Sequence, residues 1–510
     1  MEKRERESPT SDDARVAGRG VVLITLAKVV FVGTSFGVQL VLPGVLGSPT
    51  EWGALSVAMT LTAILTNTLV AATLQTVSRF TAADEARAGE TLRESLGVQL
   101  TIGAVLGGGM ALAAGAVAEH GLHDGTLAPL LRVEAIVVAS YALYAALVGA
   151  LNGRRRFAPQ AGLDMGFSVL RTIGLVGGAA IGFGAIGSLS GLASAAVGIL
   201  VIALFVVGTG SASRSLPLAK HFALFLPIAA YQLALNGLLQ LDLLMLKRVA
   251  AELAIDAGQS TQDAAALASR LSGFYRNAQT FAFVPYQLTI AITMVLFPTI
   301  AKATAEGDEA RTRAAITGAM RFSLLLLVAI AAPVAGASSG VLRIAYSGDL
   351  ASAGGALAVL AVGQVAFALF AVAATVLTSS GRAWRAVAFG AIGVIVVIVA
   401  DWIAMHTVGL EGDLPRATAI GTSIGSFVAL ALVGLALRVG YGAFLPLASA
   451  LRVLVAGLVA AAVAHVVPHE TRWTAIAALA AGASAYVVVL VVLRELGESE
   501  LRLVRRVLGR

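Results

Sequence analysis

The feature that constrains this chain most is a pair of long apolar runs between Arg19 and Phe80. Each run is longer than the roughly 20 residues that an α-helix needs to cross a bilayer. A break of Ser, Pro, Thr, Glu and Trp separates the runs, which predicts a helical hairpin through a membrane. The first run contains one charge, Lys28, and a charge at that depth normally faces a bundle interior or a wet cavity.

Composition supports an integral membrane protein. Of the 510 residues, 58% are hydrophobic and 13% are charged, whereas soluble domains carry about 25% charged residues. The chain has no cysteine, which excludes disulfides, thiolate metal sites and cysteine nucleophiles. Its net charge of +7 is better explained by a bias toward one membrane face than by binding to nucleic acid.

Apolar runs predict fourteen membrane-spanning helices, here called predicted spans 1 to 14. They cover residues 20–44, 54–78, 96–118, 129–151, 161–183, 187–208, 222–247, 274–300, 317–345, 355–379, 384–408, 417–437, 444–467 and 473–493. The ninth is the least regular, because Pro333 and a Ser-Ser-Gly sequence interrupt it. The predicted organisation is a cytoplasmic tail (1–19), two six-helix lobes (20–208 and 222–437), two appended helices (444–493) and a basic cytoplasmic tail (494–510).

The distribution of Lys and Arg predicts the orientation. With the N-terminus inside, 25 of the 36 basic residues fall in cytoplasmic segments and eight fall in outer segments, Lys247 among the latter. This bias follows the positive-inside rule. We therefore expect a multi-pass protein of the bacterial cytoplasmic (inner) membrane with both termini in the cytoplasm.

An internal repeat is visible in the residues. ALYAALVGALNGRRRFA at 142–158 matches ALFAVAATVLTSSGRAWRA at 368–386 when a two-residue insertion is allowed. These segments close predicted spans 4 and 10, which lie six spans apart. An even spacing gives both halves the same orientation, as in parallel repeats related by an axis along the membrane normal. The predicted fold is therefore all-α, with two pseudo-twofold related six-helix bundles around a central cavity and two further C-terminal helices.

Two short motifs have the residues of a nucleotide-binding or metal-binding site, but their context does not support either function. GFGAIG at 182–187 has the letters of a dinucleotide-binding loop but lies between two spans, which predicts a tight glycine turn. HGLHD at 120–124 lacks a third convincing metal ligand, which predicts a solvated loop. We find no catalytic constellation and expect neither enzymatic activity nor a metal or other cofactor.

The informative residues are polar ones within predicted spans 1, 2, 7 and 8, the first hairpin of each lobe. In spans 1 and 7 they recur on one helical face. Such residues often pair across helix interfaces, but four stripes in equivalent helices favour a shared hydrophilic cavity. The candidate cavity residues are Lys28, Ser35, Gln39, Asn67, Gln75, Gln232, Asn236, Gln240, Arg276, Gln279 and Gln287.

Three acidic residues within spans are candidates for ion or proton coupling: Asp164, Asp242 and Asp401. Asp164 lies seven residues before Arg171 in span 5, a spacing that places both on one helical face and favours a structural ion pair. Each of the other two could bind a proton during transport or be paired inside the bundle, and the sequence leaves both interpretations open.

Several segments resemble bacterial Wzx-type polysaccharide flippases of the multidrug/oligosaccharidyl-lipid/polysaccharide (MOP) exporter superfamily. The resemblance covers roughly residues 20–440 and consists of patterns rather than catalytic signatures. The segments are VQLVLPGVLGSPTEWGALSVA, the SRF that closes span 2, LVGALNGRRRF, LLQLDLLMLKRV and FYRNAQTFAFVPYQL…LFPTIAK.

This resemblance implies two six-helix lobes around a cavity that opens alternately to either side. It also implies an undecaprenyl-diphosphate-linked oligosaccharide as substrate, moved to the outer leaflet for polysaccharide biosynthesis. Implied partners are membrane lipids, a polysaccharide polymerase and glycosyltransferases, with no nucleic acid. A basic, polar cavity suits such a substrate, since diphosphate attracts Lys and Arg.

The sequence leaves other functions open. Drug and cation antiporters of the MATE type are expected to use a cavity carboxylate, and spans 1 and 2 contain none. Lipid II flippases are expected to carry several cavity arginines on early helices, where this chain has Lys28 alone and Arg79 at the inner end of span 2. A membrane-embedded glycosyltransferase or polymerase is disfavoured by short loops, and a scaffold without transport activity is a further alternative.

Overall fold

A computed structural model describes residues 11–211, 218–287, 289 and 306–496, with side chains from Leu23 onward. These residues are almost entirely helical and contain fifteen α-helices. The helices are α1 Ser11–Leu46, α2 Pro49–Ala83, α3 Ala88–Ala116, α4 Leu127–Gly153, α5 Phe157–Gly178, α6 Gly184–Val207, α7 Leu218–Asp256, α8 Thr261–Ala282, α9 Glu309–Gly336, α10 Ser338–Ala345, α11 Gly354–Ser379, α12 Ala383–Val408, α13 Leu414–Tyr441, α14 Leu447–Val466 and α15 Arg472–Val492.

Within the described ranges, twelve helical stretches are long and apolar enough to cross a membrane. One of them, Phe157–Val207, contains predicted spans 5 and 6. Predicted span 8 begins in α8, but most of its second half lies outside the described residues, as do 1–10 and 497–510 of the tails. The twelve stretches confirm the prediction of an all-α, multi-pass membrane protein.

The irregular parts of the sequence mark real breaks. Predicted span 9 is divided into α9 and α10 at Ala337, next to the Ser-Ser-Gly sequence. The glycine turn predicted at 182–187 is present, since Gly182 and Gly184 adopt positive φ angles of 89° and 56° between α5 and α6. Glycine reaches this backbone region without steric penalty, which explains why the chain turns here.

The described chain divides into two compact units. The first comprises the described residues of 1–47, 61–119 and 125–232, and the second comprises the described residues of 48–60, 120–124 and 233–510. In the first unit α1 packs on α5, α3 on α4, and α5 on α6; in the second unit α11 and α12 both pack on α13. The lobe boundaries given from the sequence remain predictions.

Small residues allow α5 and α6 to approach closely in the first unit. A Cβ atom on Gly174 would lie 2.3 Å from the Gly191 carbonyl oxygen, and one on Gly178 would lie 2.1 Å from that of Gly187. The four glycines form two small-xxx-small pairs, the pattern that permits backbone contact between membrane helices.

The repeat noted in the sequence has a local structural counterpart. At the end of α4 the Arg156 amide donates to the Leu151 carbonyl at 2.9 Å, and at the end of α11 the Arg382 amide donates to the Leu377 carbonyl at 2.8 Å. The intervening Arg155 and Gly381 have positive φ angles of 56° and 76°. Both helices therefore end in the same left-handed turn at positions that the sequence alignment equates.

The loop at 120–124 differs from the solvated loop that we expected. Asp124 is buried and accepts a hydrogen bond from the Lys247 ammonium at 2.7 Å. Lys247 is fully buried and also donates to the Ala265 carbonyl and the Ser269 hydroxyl. The prediction of a solvated loop was therefore wrong at Asp124, because a carboxylate and two further acceptors replace the water shell of Lys247. The position of Lys247 on the outer side of the membrane remains a prediction.

A buried carboxylate also anchors the last two helices. Glu495, just after α15, accepts hydrogen bonds from Arg321 of α9 and from Ser449 and Arg452 of α14. Burial by itself raises the pKa of the Glu495 carboxyl, but the hydrogen bonds and the charge of Arg321 outweigh burial, so the pKa lies below its ordinary value. This carboxylate links three helices of the second unit.

Cysteine accessibility should test the predicted orientation, because the chain has no native cysteine. Asp124 and Ala265 are buried and are unsuitable positions, whereas Gln259, Glu411 and Glu85 are exposed. We expect Gln259→Cys and Glu411→Cys to react with an impermeant maleimide from outside the cell, and Glu85→Cys to react only after permeabilisation. The reverse pattern would contradict the charge-based topology.

Candidate functional site

The first unit holds a group of charged and polar side chains where α1, α4 and α5 meet. Asp164 on α5 accepts a hydrogen bond from the Tyr144 hydroxyl of α4 at 3.2 Å. The Asp164 carboxylate and the Lys28 ammonium of α1 attract each other, but no described carboxylate lies within ion-pair distance of Lys28. Lys28 is an exposed side chain. The ammonium therefore remains accessible to a further anionic group.

Arg171 does not pair with Asp164 as the sequence suggested. Its guanidinium donates to the Ser35 hydroxyl at 3.0 Å and lies over the Phe31 ring at 5.4 Å. Both contacts are on α1, one helical turn apart, because Arg171 points across the α1–α5 interface rather than along its own helix. The predicted ion pair was thus wrong: Asp164 faces Lys28, and Arg171 faces Ser35.

Glu134 is a member of this region that sequence reasoning missed. It lies near the start of α4, is 1% exposed, and its carboxylate attracts the Arg171 guanidinium. The signal was present in the sequence, since Glu134 is the only acidic residue within predicted span 4. Glu134 is a single charge and belongs to no periodic polar stripe, which is why it was not among the predicted residues.

An apolar groove adjoins the Arg171–Ser35 contact. Its cavity volume is about 490 Å³. The lining comes from α1 and α5 and consists of Thr34, Gly37, Val38, Val41, Thr172, Ile173, Val176 and Gly177. The first unit therefore places a basic, polar group beside an apolar surface.

The remaining predicted residues of the first unit are more dispersed. Asn67 and Gln75 are exposed on α2, while Gln39 and Gln232 are half-buried on α1 and α7. No contact described here unites these four with Lys28, so their place in a common cavity remains a prediction.

In the second unit, Asp242 is the centre of a buried hydrogen-bond network. Its carboxylate accepts from the Tyr275 hydroxyl at 2.6 Å, the Gln279 amide at 2.9 Å and the Thr422 hydroxyl at 3.1 Å. The Leu243 backbone amide donates to it at 2.8 Å. Side chains of α8 and α13 thus hold this carboxylate on α7. Sequence analysis named Asp242 and Gln279 but missed Tyr275, which lies four residues before Gln279 on the same helical face.

Asp401 on α12 is a second buried carboxylate beside this network. It is fully buried, neither carboxylate oxygen has a side-chain hydrogen-bond donor, and it is coupled electrostatically to Asp242. A Cβ atom on Gly421 would lie 2.1 Å from an Asp401 carboxylate oxygen, so only glycine permits α13 to pass this close. Two like charges near each other attract a proton or a cation, and the pair is suited chemically to hold either.

Gln279 connects the network to Arg276, another predicted residue. The Arg276 guanidinium donates to the Gln279 side-chain oxygen at 3.2 Å, while the Gln279 amide donates to Asp242. Asn236 and Gln240 of α7 are buried and pair with each other at 3.4 Å. Gln287 is exposed beyond α8. The structure therefore joins Arg276, Gln279, Asp242 and Asp401, and leaves Gln287 apart from them.

The chain is similar in fold to solved membrane transporters. No protein-family model and no curated protein sequence matches the chain. A structure of the lipid II flippase MurJ in an inward closed conformation aligns with a TM-score of 0.73 at 13% identity, over 93% of this chain and 99% of that one. An inward-facing multidrug resistance MATE family transporter aligns with a TM-score of 0.63 at 15% identity, over 83% of this chain and 98% of that one.

A crystal structure of MATE in complex with MaD3S also aligns, with a TM-score of 0.55 at 17% identity, over 82% of this chain and 95% of that one. The chain has the MOP superfamily fold. This confirms the predicted fold class. Likeness at 13 to 17% identity establishes the MOP fold, and neither the substrate nor the coupling ion follows from it.

Proposed function

We propose that the protein is a flippase that moves an undecaprenyl-diphosphate-linked oligosaccharide from the inner to the outer leaflet by alternating access. The observation that carries the proposal is Lys28, an exposed ammonium on a membrane helix without a described ion-pair partner. A cation inside an apolar segment is costly to insert and is typically retained for function. Diphosphate supplies the negative charge that such a site lacks.

The surroundings of Lys28 support a glycolipid over a free sugar. Hydroxyl and carboxylate groups nearby, including Tyr144, Ser35 and Asp164, can bind sugar hydroxyls. The groove of about 490 Å³ between α1 and α5 offers an apolar surface for the first isoprene units of the lipid. One substrate that carries sugar, diphosphate and prenyl chain uses all three surfaces.

Lipid II is the second candidate substrate. The alignment with the lipid II flippase MurJ covers 93% of this chain, against 83% for the MATE family transporter. We rank the oligosaccharide first because α1 and α2 carry Lys28 as the only basic residue between Leu23 and Gln75. A drug antiporter ranks third, since no acidic residue lies within the membrane part of these two helices.

Buried carboxylates are proposed to couple transport to an ion or proton gradient. Asp242 and Asp401 form the stronger candidate, because they are mutually coupled and shielded from solvent. Asp164 is a weaker candidate, since it accepts the Tyr144 hydrogen bond and attracts Lys28. The setting is the bacterial cytoplasmic membrane, with polysaccharide polymerase and glycosyltransferases as partners.

Complementation separates the two glycolipid substrates. The gene should restore surface polysaccharide in a strain that lacks its oligosaccharide flippase, and should fail to support growth when the lipid II flippase is depleted. Growth rescue without polysaccharide rescue would make lipid II the substrate. Rescue of neither, with protein present in the membrane, would argue against both assignments.

A further inference from the structure

A pocket in the second unit lies apart from the Asp242 network and combines basic side chains with helix ends. Its volume is about 270 Å³. Its walls come from the α9–α10 break, the first turns of α11 and α13, and the α14 end. The lining residues are Ala335, Gly336, Ser338, Ser339, Gly355, Ala358, Val359, Arg416, His465 and His469.

Arg416 gives the pocket a fixed positive charge. Its backbone amide donates to the Asp413 side chain at 3.0 Å, which caps α13. Among the described residues the guanidinium itself has no carboxylate within ion-pair distance. Asp413 borders the pocket at Gly355, where a Cβ atom would lie 2.9 Å from its second oxygen. The guanidinium is therefore free to bind an anion presented from the pocket.

The two histidines are oriented by the backbone. His465 Nδ1 lies 3.3 Å from the Gly336 carbonyl oxygen, and His469 Nδ1 lies 2.9 Å from that of Val467. A carbonyl only accepts, so Nδ1 is the donor to it in both rings, and Nε2, which these carbonyls do not contact, donates to an anion in the imidazolium form. The ring centroids are 6.2 Å apart. Two imidazoles and one guanidinium thus line one cavity.

Two helix N-termini add backbone donors. Ala337 and Ala353, the N-cap residues of α10 and α11, provide no side-chain cap. The helix starts lie side by side, since a Cβ atom on Gly354 would lie 3.2 Å from the Ser339 amide nitrogen. Uncapped first-turn amides and the helix dipole both favour a bound anion.

We propose that this pocket binds a phosphate group, either that of a membrane phospholipid or a free phosphate. The guanidinium and the imidazolium form of each histidine supply charge-assisted hydrogen bonds, and the adjacent first turns of α10 and α11 supply backbone amides. The site is separate from Lys28 and does not depend on the protein being a flippase.

Binding to the purified full-length protein tests the site. Native mass spectrometry would measure retention of phosphatidylglycerol against diacylglycerol, which lacks the phosphate, and thermal unfolding would measure stabilisation by inorganic phosphate. We expect Arg416→Gln, and separately His465→Gln with His469→Gln, to weaken phosphate-dependent binding about tenfold. Arg416→Lys should retain part of the binding. Arg472→Gln is the matched control, because Arg472 is exposed at the start of α15 and does not line the pocket.

Retention of phosphatidylglycerol alone would identify a lipid headgroup site, and stabilisation by inorganic phosphate alone would identify a free-phosphate site. Either result, lost in the pocket variants and kept in Arg472→Gln, supports the proposal. If Arg416→Gln fails to elute as a monodisperse protein, the double histidine variant decides. Binding that is absent from the native protein, or equal in the pocket variants and the control, would overturn the proposal.

Discussion

Replacing Lys28 by alanine should abolish export of the lipid-linked oligosaccharide while the protein remains in the membrane. Loss of a desolvated charged contact costs about 2–5 kcal/mol, so transport should fall on the order of thirtyfold or more. Lys28→Arg should retain part of the activity because it keeps the charge. The measurement is complementation of a flippase-deficient strain, normalised to the amount of membrane-inserted protein.

The competing explanation is that Lys28 serves only to balance Asp164. It predicts that Lys28→Ala lowers protein abundance and that adding Asp164→Asn restores both abundance and export. Our account predicts that the double variant is abundant but still inactive. Lys220→Ala is the matched control, since Lys220 is an exposed lysine on α7 and should be dispensable. Normal export by Lys28→Ala would remove Lys28 from the mechanism.

Neutralising the second unit's carboxylates should uncouple transport from its driving gradient. Asp401 has no side-chain hydrogen-bond donor and is repelled by Asp242. Asp401→Asn therefore leaves the hydrogen bonds at Asp242 in place and removes the repulsion. We expect unchanged or higher thermal stability together with at least about a tenfold loss of gradient-driven transport, a loss equal to about 1.4 kcal/mol.

Asp242→Asn should behave differently. Tyr275 and Thr422 both donate to one oxygen of the Asp242 carboxylate, and an asparagine NH2 group in its place cannot accept from them. Stability should therefore fall by about 1–3 kcal/mol along with transport. Transport and thermal unfolding are measured on the same reconstituted protein under imposed proton and sodium gradients. If Asp401→Asn were more stable and retained full gradient-dependent transport, the pair would be structural rather than coupling.

The membrane helices were predictable because each requires a contiguous apolar run, which is a local property of the sequence. The breaks at Ser338 and Gly182 were predictable for the same reason, since adjacent Gly and Ser residues favour a turn. Contacts between helices were not predictable in this way. The sequence identifies Lys247 as a charge at the end of a predicted span. It does not show that the fold brings Asp124, 123 positions earlier in the chain, into contact with the Lys247 ammonium.

The polar sites were predictable only in part. Asp242, Gln279 and Lys28 stand out as polar residues in apolar runs, but which helix each one faces depends on the packing of neighbours. Arg171 illustrates this dependence: its spacing from Asp164 fits an ion pair, yet the close packing of α1 on α5 offers it Ser35 and Phe31 instead. The spacing of residues shows which of them share a face of one helix. It does not show which other helices that face contacts, and those contacts form the site.

Leaflet exchange by the purified protein tests the central claim most directly. Liposomes containing the protein would receive a fluorescent undecaprenyl-diphosphate oligosaccharide, and a membrane-impermeant quencher or glycosidase would report the fraction in each leaflet over time. Our account predicts rapid exchange with the native protein and exchange at the rate of empty liposomes with Lys28→Ala. Exchange no faster than in empty liposomes with the folded native protein, under every imposed gradient, would contradict it.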